Sequence, residues 1–230
     1  LPTFPLPGQP RKHHLTTSVL SLVNTIMQRR PSLVPDLFHI KRTTVTAGSP
    51  PSIHTEICGT YTDLDSAQSA ALHRLDDEGI ARDSLSEYME NDLINPSSDW
   101  KHGENVVIHA SKGNEIHDIE IETTPNSLGV RSKPGDGRVT DNLFYVLRTV
   151  QSIDGETHTE IRGIHLSRQS AVTAARHDLV SGERKQDWYS DFKEEVGVGH
   201  REEDFEGQQL VVTATGQDGK KYMVTVVHES

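Results

Sequence analysis

His54, Glu56 and Cys58 alternate along the word HTEICG, and His158 and Glu160 alternate along the word HTEIRG. In an extended strand alternate side chains share one face, so an imidazole and a carboxylate stand side by side at two places in the chain. The pair His54 and Glu56 is the beginning of a two-histidine, one-carboxylate metal set, which a third ligand from His109 or His117 would complete. Each pair is equally the beginning of an acid/base couple, and Cys58 adds a thiol to the first.

The chain carries its own control on that chemistry, because the two words belong to a long internal repeat. His158 lies 104 positions after His54, and the same offset relates Ala67, Ala71, His73 and Leu75 to Ala171, Ala175, His177 and Leu179. It also relates VVIHA at 106–110 to LVVTA at 210–214. Upstream, LFHIKRT from Leu37 matches LFYVLRT from Leu143, with a first hairpin loop two residues longer in the first copy. His and Glu recur between the copies, but Thr213 replaces His109 and Arg162 replaces Cys58. A metal set or a cysteine nucleophile would therefore work in one copy only, and neither explains why HTE is written twice. The duplication is better explained by architecture, with Thr and Ile turned inward and His and Glu on the solvated face of a strand.

Other chemistry-bearing patterns are weak. LDDEG, KEE and HREEDFEG read as charged surface, KPGDGR lacks the strand before it and the lysine-hydroxyl pair after it that a phosphate loop needs, and no Gly-x-Ser-x-Gly elbow occurs. Trp188 and Tyr189, with Phe192 and Phe205, form an aromatic cluster suited to an interface or a ligand cleft, or to supplying bulk over an alanine-faced helix. The candidate ligand or interface residues are thus His54, Glu56, His158, Glu160, Trp188 and Tyr189, with no catalytic residue, metal or cofactor assigned.

The elements that must position these residues follow from periodicity. LFHIKRTTVT and IHTEICGTYT, joined by AGSPPS, predict a hairpin, and Asp154-Gly155 predicts its counterpart in the second copy. Ala67, Ala70, Ala71 and Leu75 share one helical face, with Thr62 or Asp63 to cap its start and Gly79 to end it; Ser167 and Gly182 bracket the second-copy helix. The spacing of Leu85, Tyr88 and Leu93, and of Tyr189, Phe192 and Val196, predicts a further helix in each copy. Two strands then close the unit. The fold class is α+β: a tandem duplication of a β-β-α-α-β-β unit, with antiparallel sheets and helices on one face. The domains are a proline-rich basic arm with an amphipathic helix at 1–36, repeats at 37–125 and 143–230, and a Gly/Pro-containing linker at 126–142. Thr55-Glu56 with Gly59 and Tyr61, and Thr159-Glu160 with Gly163 but His165, make this strand-to-helix stretch resemble uncharacterised filamentous-fungal proteins with a T-E-x-x-G-x-[YF] strand before an alanine-rich helix. That resemblance implies no activity.

Among 230 residues, 34 acids against 23 lysines and arginines give a formal charge of −11, which opposes direct binding to nucleic acid or anionic membranes and favours a basic or neutral partner. Residues 1–35 hold Arg11, Lys12, Arg29 and Arg30 and no acid, a segment with some transit-peptide character. One cysteine excludes an intramolecular disulfide framework and favours an intracellular, cytoplasmic home, with secretion after loss of a signal peptide or mitochondrial import left open. No stretch approaches the roughly 20 apolar residues of a membrane span. The expected function is non-enzymatic binding of a protein or peptide, the repeats pairing within the chain about a pseudo-twofold axis, with homo-oligomers possible in addition. The alternatives are an enzyme or small-ligand protein with a pocket between the repeats, and an acidic mimic of nucleic acid.

Overall fold

The computed structural model describes residues 34–49, 52–182, 184–195 and 207–229. The arm expected over 1–36 falls outside this set except at Val34–Asp36, and so do Val196 and Phe205. The first repeat contributes β1 (Asp36–Thr46), β2 (Ser52–Tyr61), α1 (Leu64–Asp77), β3 (Glu87–Glu90), β4 (Val106–Lys112) and β5 (Glu115–Pro125). The second contributes β6 (Phe144–Gln151), β7 (Thr157–His165), α2 (Arg168–Asp178), β8 (Tyr189–Glu194), β9 (Gln208–Gly216) and β10 (Lys221–His228). Each repeat folds into one antiparallel five-stranded sheet, ordered β2-β1-β5-β4-β3 and β7-β6-β10-β9-β8. Among the described residues no helix is long and apolar enough to cross a membrane.

The local signals act as elementary chemistry requires. Asp63 is extended and accepts the Ser66 N–H at 2.8 Å, and Ser167 does the same for Ser170, so each helix begins on a side-chain cap. Gly79, at φ 76°, follows the C-terminus of α1, where a left-handed residue frees the chain to turn back. Ala67 and Ala71, like Ala171 and Ala175, have no exposed surface, so each helix lies close against its sheet.

Among the described residues the expected second helix of each unit is absent. Its residues form a single 3-10 turn (Arg82–Ser84 and Gln186–Trp188) followed by a short edge strand, β3 or β8. In the second repeat the reason is a bulge. Tyr189 pairs with Gly216 and Asp191 with Thr215, so Ser190 is the extra residue, and Tyr189 and Phe192 share a face despite an odd spacing. A bulged strand thereby copies the three-residue period of a helix.

Two further bulges recur in both repeats. Ile40 pairs with Gly59 and Lys41 with Ile57, leaving Cys58 unopposed; Val146 pairs with Gly163 and Leu147 with Ile161, leaving Arg162 unopposed. The other pair of bulges leaves Val107 and Val211 unopposed. The cysteine-to-arginine exchange therefore falls at the residue the ladder leaves out.

The sheets pack face to face, and each carries its helix on the opposite face. Ile40, Cys58, Leu75, Ile119 and Ile121 form the core beneath α1, while Val146, Val172, Leu179, Val224 and Val226 form the core beneath α2. A third cluster joins Leu37 and Ile57 of one sheet to Tyr145, Leu147, Ile161 and Val227 of the other, with Val130 and Val139 of the linker. His39 and Tyr145 occupy equivalent positions and meet edge to face at 5.6 Å between ring centres, which places the pseudo-twofold axis between them. A buried polar chain crosses there: Thr124 to His39 at 2.7 Å, His39 to Thr60 at 3.0 Å, Thr60 to Tyr145 at 2.5 Å, Tyr145 to Glu229 at 3.5 Å and Arg138 to Glu229 at 3.0 Å. Each polar group in it has a partner, which burial demands.

Candidate functional site

The repeated word is a structural device. Thr55 and Ile57 are buried toward the other sheet, as are Thr159 and Ile161, whereas His54 and His158 are exposed. Glu56 and Glu160 lie on the helix-bearing faces, half-buried, and are paired with Arg42 at 3.3 Å and Arg148 at 3.4 Å. These arginines also bind the helix ends: Arg42 reaches Glu78 after α1, and Arg148 reaches the Asp178 carboxylate at 2.7 Å and its carbonyl at 3.1 Å. A cation at a helix C-terminus is favoured by the exposed carbonyls. Each carboxylate thus helps fasten a helix to its sheet.

The two His-Glu pairs sit on outward faces of opposite sheets and do not converge. His54 and His117 both pair with Thr44, so β1 stands between them at two strand spacings, roughly 10 Å. His117 is buried, and its Nδ1 lies 3.2 Å from both Arg42 and Thr44. His109 lies farther across the sheet on β4, opposite Asp118. Cys58 is buried at the bulge, and burial pushes its thiol up to about 12, leaving negligible thiolate at neutral pH.

Trp188 and Tyr189 belong to the packing around α2. Tyr189 donates to the Leu179 carbonyl at 2.9 Å and lies edge to face with Trp188 and Tyr222, while the Arg184 guanidinium covers the Trp188 ring at 4.2 Å. Phe192 meets the Tyr189 ring at 5.7 Å, and Tyr222, which the sequence cluster did not include, joins the group.

A cleft of about 280 Å³ opens where the repeats meet. Leu37 and Pro125 come from the first repeat, Leu128 from the linker, and Ile161, Arg162 and Ile164 from β7, the edge strand of the second sheet. Its walls hold apolar side chains, the hydroxyls of Thr124 and Ser127, and one charge, Arg162. Thr124 carries the only nucleophile-and-base geometry in that lining, through its bond to His39. Burial, aided by the Lys41 charge, pulls His39 down to about 3. So weak a base draws little proton from a hydroxyl at neutral pH. The cleft can bind apolar surface and offers little for acyl transfer.

None of the cleft residues was legible as a site from the sequence, since three separate segments build it; the apolar residues Leu128, Val130 and Val139 inside a polar linker were the available signal. Comparison of the chain with protein-family models, curated proteins and solved structures finds no match in any of the three.

Proposed function

We propose that this chain is a non-enzymatic binding protein that holds an extended segment of a partner protein in the cleft between its repeats. The observation that carries the reading is that this cleft draws its walls from both repeats and the linker and runs along residues 161–164 of an edge strand. An extended peptide laid there would place apolar side chains on Leu37, Leu128 and Ile164 and its backbone along residues 162–164 of β7, beyond Thr159 and Ile161, whose edge groups Lys41 and Glu122 already bind. The net charge of −11 favours a segment with basic flanks. The other edges are less inviting. β3 and β8 are short and carry Glu87, Glu90, Asp191, Lys193 and Glu194, a composition that discourages pairing.

A peptide-library selection on the full chain, repeated with Ile164→Asp, tests this. The expected result is a family of apolar peptides with basic flanks whose affinity falls at least about tenfold in the variant, the cost of setting a charge against an apolar contact. Peptides that bind both proteins equally, or none at all, would refute it. Stabilisation by a small molecule that is lost in Ile164→Asp would instead support the competing reading, a small-ligand protein using the same cleft with the Thr124–His39 pair as its polar anchor.

A further inference from the structure

The first repeat's sheet assembles a second cluster at its β3–β4 end. β3 supplies Glu87, β4 supplies His109, and the connection between them, residues 91–105, brings His102 back over the strands. One donor atom from each of Glu87, His102 and His109 lies within 4.8 Å of the other two. The two imidazole rings are stacked, 3.7 Å apart at their centres and 17° from parallel.

The fourth residue decides what the cluster can do. His109 Nδ1 stands 2.6 Å from Asp118 Oδ1, and its Nε2 stands 3.8 Å from Glu87 Oε2. A carboxylate accepts a hydrogen bond from Nδ1–H, which leaves Nε2, on the Glu87 side, as the ring atom turned toward a cation. Carboxylate behind, histidine in front and open side outward is the arrangement that presents an imidazole to a cation. Trp100 steadies the returning loop: its indole N–H donates to the Gly103 carbonyl at 2.7 Å, and its ring meets His102 at 5.0 Å. Both histidines are half-buried, whereas Glu87 is exposed.

We propose that Glu87, His102 and His109 bind one divalent transition-metal ion of the zinc class, with Asp118 as the positioning carboxylate behind His109. Two imidazoles and a carboxylate are the donor set such ions take, and three protein ligands leave a position for water. Closure around a bond length of about 2.1 Å requires the stacked rings to splay, a side-chain movement within reach of a loop histidine. The site belongs to one repeat. Its structural counterparts in the second are Asp191, Thr213 and Met223 for Glu87, His109 and Asp118, so the second sheet lacks both the ligand imidazole and the residue that would orient it. A bound ion would pin the 91–105 loop to β3 and β4, independently of the inter-repeat cleft.

The test is titration of the untagged, metal-free full chain with cobalt(II), followed by visible d–d absorption, and with zinc(II) in a calorimeter. The expected result is one saturable equivalent per chain, lost in His102→Ala and in His109→Ala, and weakened about 10–100-fold in Asp118→Asn with its stoichiometry kept. His54→Ala and His158→Ala should titrate as the unaltered protein does. His102 lies in a loop, so circular dichroism of that variant without metal should match the parent and separate ligand loss from misfolding. Absence of a one-equivalent cobalt band, binding unchanged in His102→Ala and His109→Ala, or binding lost in His54→Ala would each overturn the proposal.

Discussion

The two inner sheet faces meet across a pseudo-twofold axis, yet one is charged and the other apolar. Lys41, Glu120 and Glu122 in the first repeat stand where Leu147, Thr225 and Val227 stand in the second. Lys41 is 1% exposed and bonds Glu120 at 2.9 Å, Glu122 at 2.8 Å and the Thr159 carbonyl of β7, while Glu122 accepts the Ile161 N–H at 2.8 Å. The charged trio thereby pairs backbone groups on the outer side of one edge strand. The equivalent edge, β2, is served by the linker: Val139 N–H donates to the Thr60 carbonyl at 2.8 Å and Thr62 N–H to the Gly137 carbonyl at 2.9 Å. A fused duplication has two equivalent edges but a single linker. Side chains do at Thr159 and Ile161 of β7 what the linker's backbone does at β2, and the asymmetry follows from connectivity.

The largest effect should come from breaking the trio at its centre. Lys41→Leu leaves two carboxylates without their cation and is expected to cost about 3–5 kcal/mol in urea unfolding. The triple variant Lys41→Leu, Glu120→Thr, Glu122→Val writes the second repeat's face into the first and should recover most of that loss. It should stop about 2 kcal/mol short, because Thr159 and Ile161 of β7 lose their partners. Full recovery would mean those backbone bonds contribute nothing. On the apolar side, Leu147→Ala, at a site with no exposed surface, should cost about 3 kcal/mol, with no dependence on salt.

The axis pair gives a pH-dependent version of the comparison. His39 falls from 6.5 to about 3 on burial, whereas burial moves Tyr145 upward, away from the neutral range. Below 6.5 the unfolded chain binds a proton that folded His39 refuses, so stability declines as pH drops toward 3, by about 2 kcal/mol between pH 7 and pH 5. Burial raises Glu229 and gives a slope of the opposite sign in the acid range, with stability falling as pH rises. Subtracting the curve of His39→Gln isolates the histidine; a difference that stays flat from pH 7 to pH 5 would contradict its burial as a neutral ring. The smallest effect concerns the bulge. Cys58 should resist a thiol reagent in the folded chain at pH 8 and react fully in urea, and rapid labelling of the native protein would show that the bulge opens.

Duplication, helix caps and both leading hairpins were legible because equal spacing, Asp63 and Ser167, and turn residues act locally. The inward Thr and Ile of HTEI were legible for the same reason. The last helix of the second unit was misread where a bulge at Ser190 lets Tyr189 and Phe192 share a face at helical spacing. Glycine and proline in 126–142 did not disclose that Val130 and Val139 enter the inter-sheet core. His109 was noticed but joined to His54, since only the returning loop brings His102 and Glu87 to it. Contacts that depend on one sheet meeting another leave no periodic trace.

The shared interface should make the two repeats one cooperative unit. The chain holds two tryptophans, Trp100 in the first repeat and Trp188 in the second, so Trp100→Phe and Trp188→Phe each leave a reporter on one half. Urea unfolding of both, corrected for any change in stability by far-ultraviolet circular dichroism of the same samples, should give fluorescence transitions that coincide with loss of secondary structure. A fluorescence midpoint displaced from the dichroism midpoint in either protein would show that the halves unfold separately and that the sheets do not depend on one another.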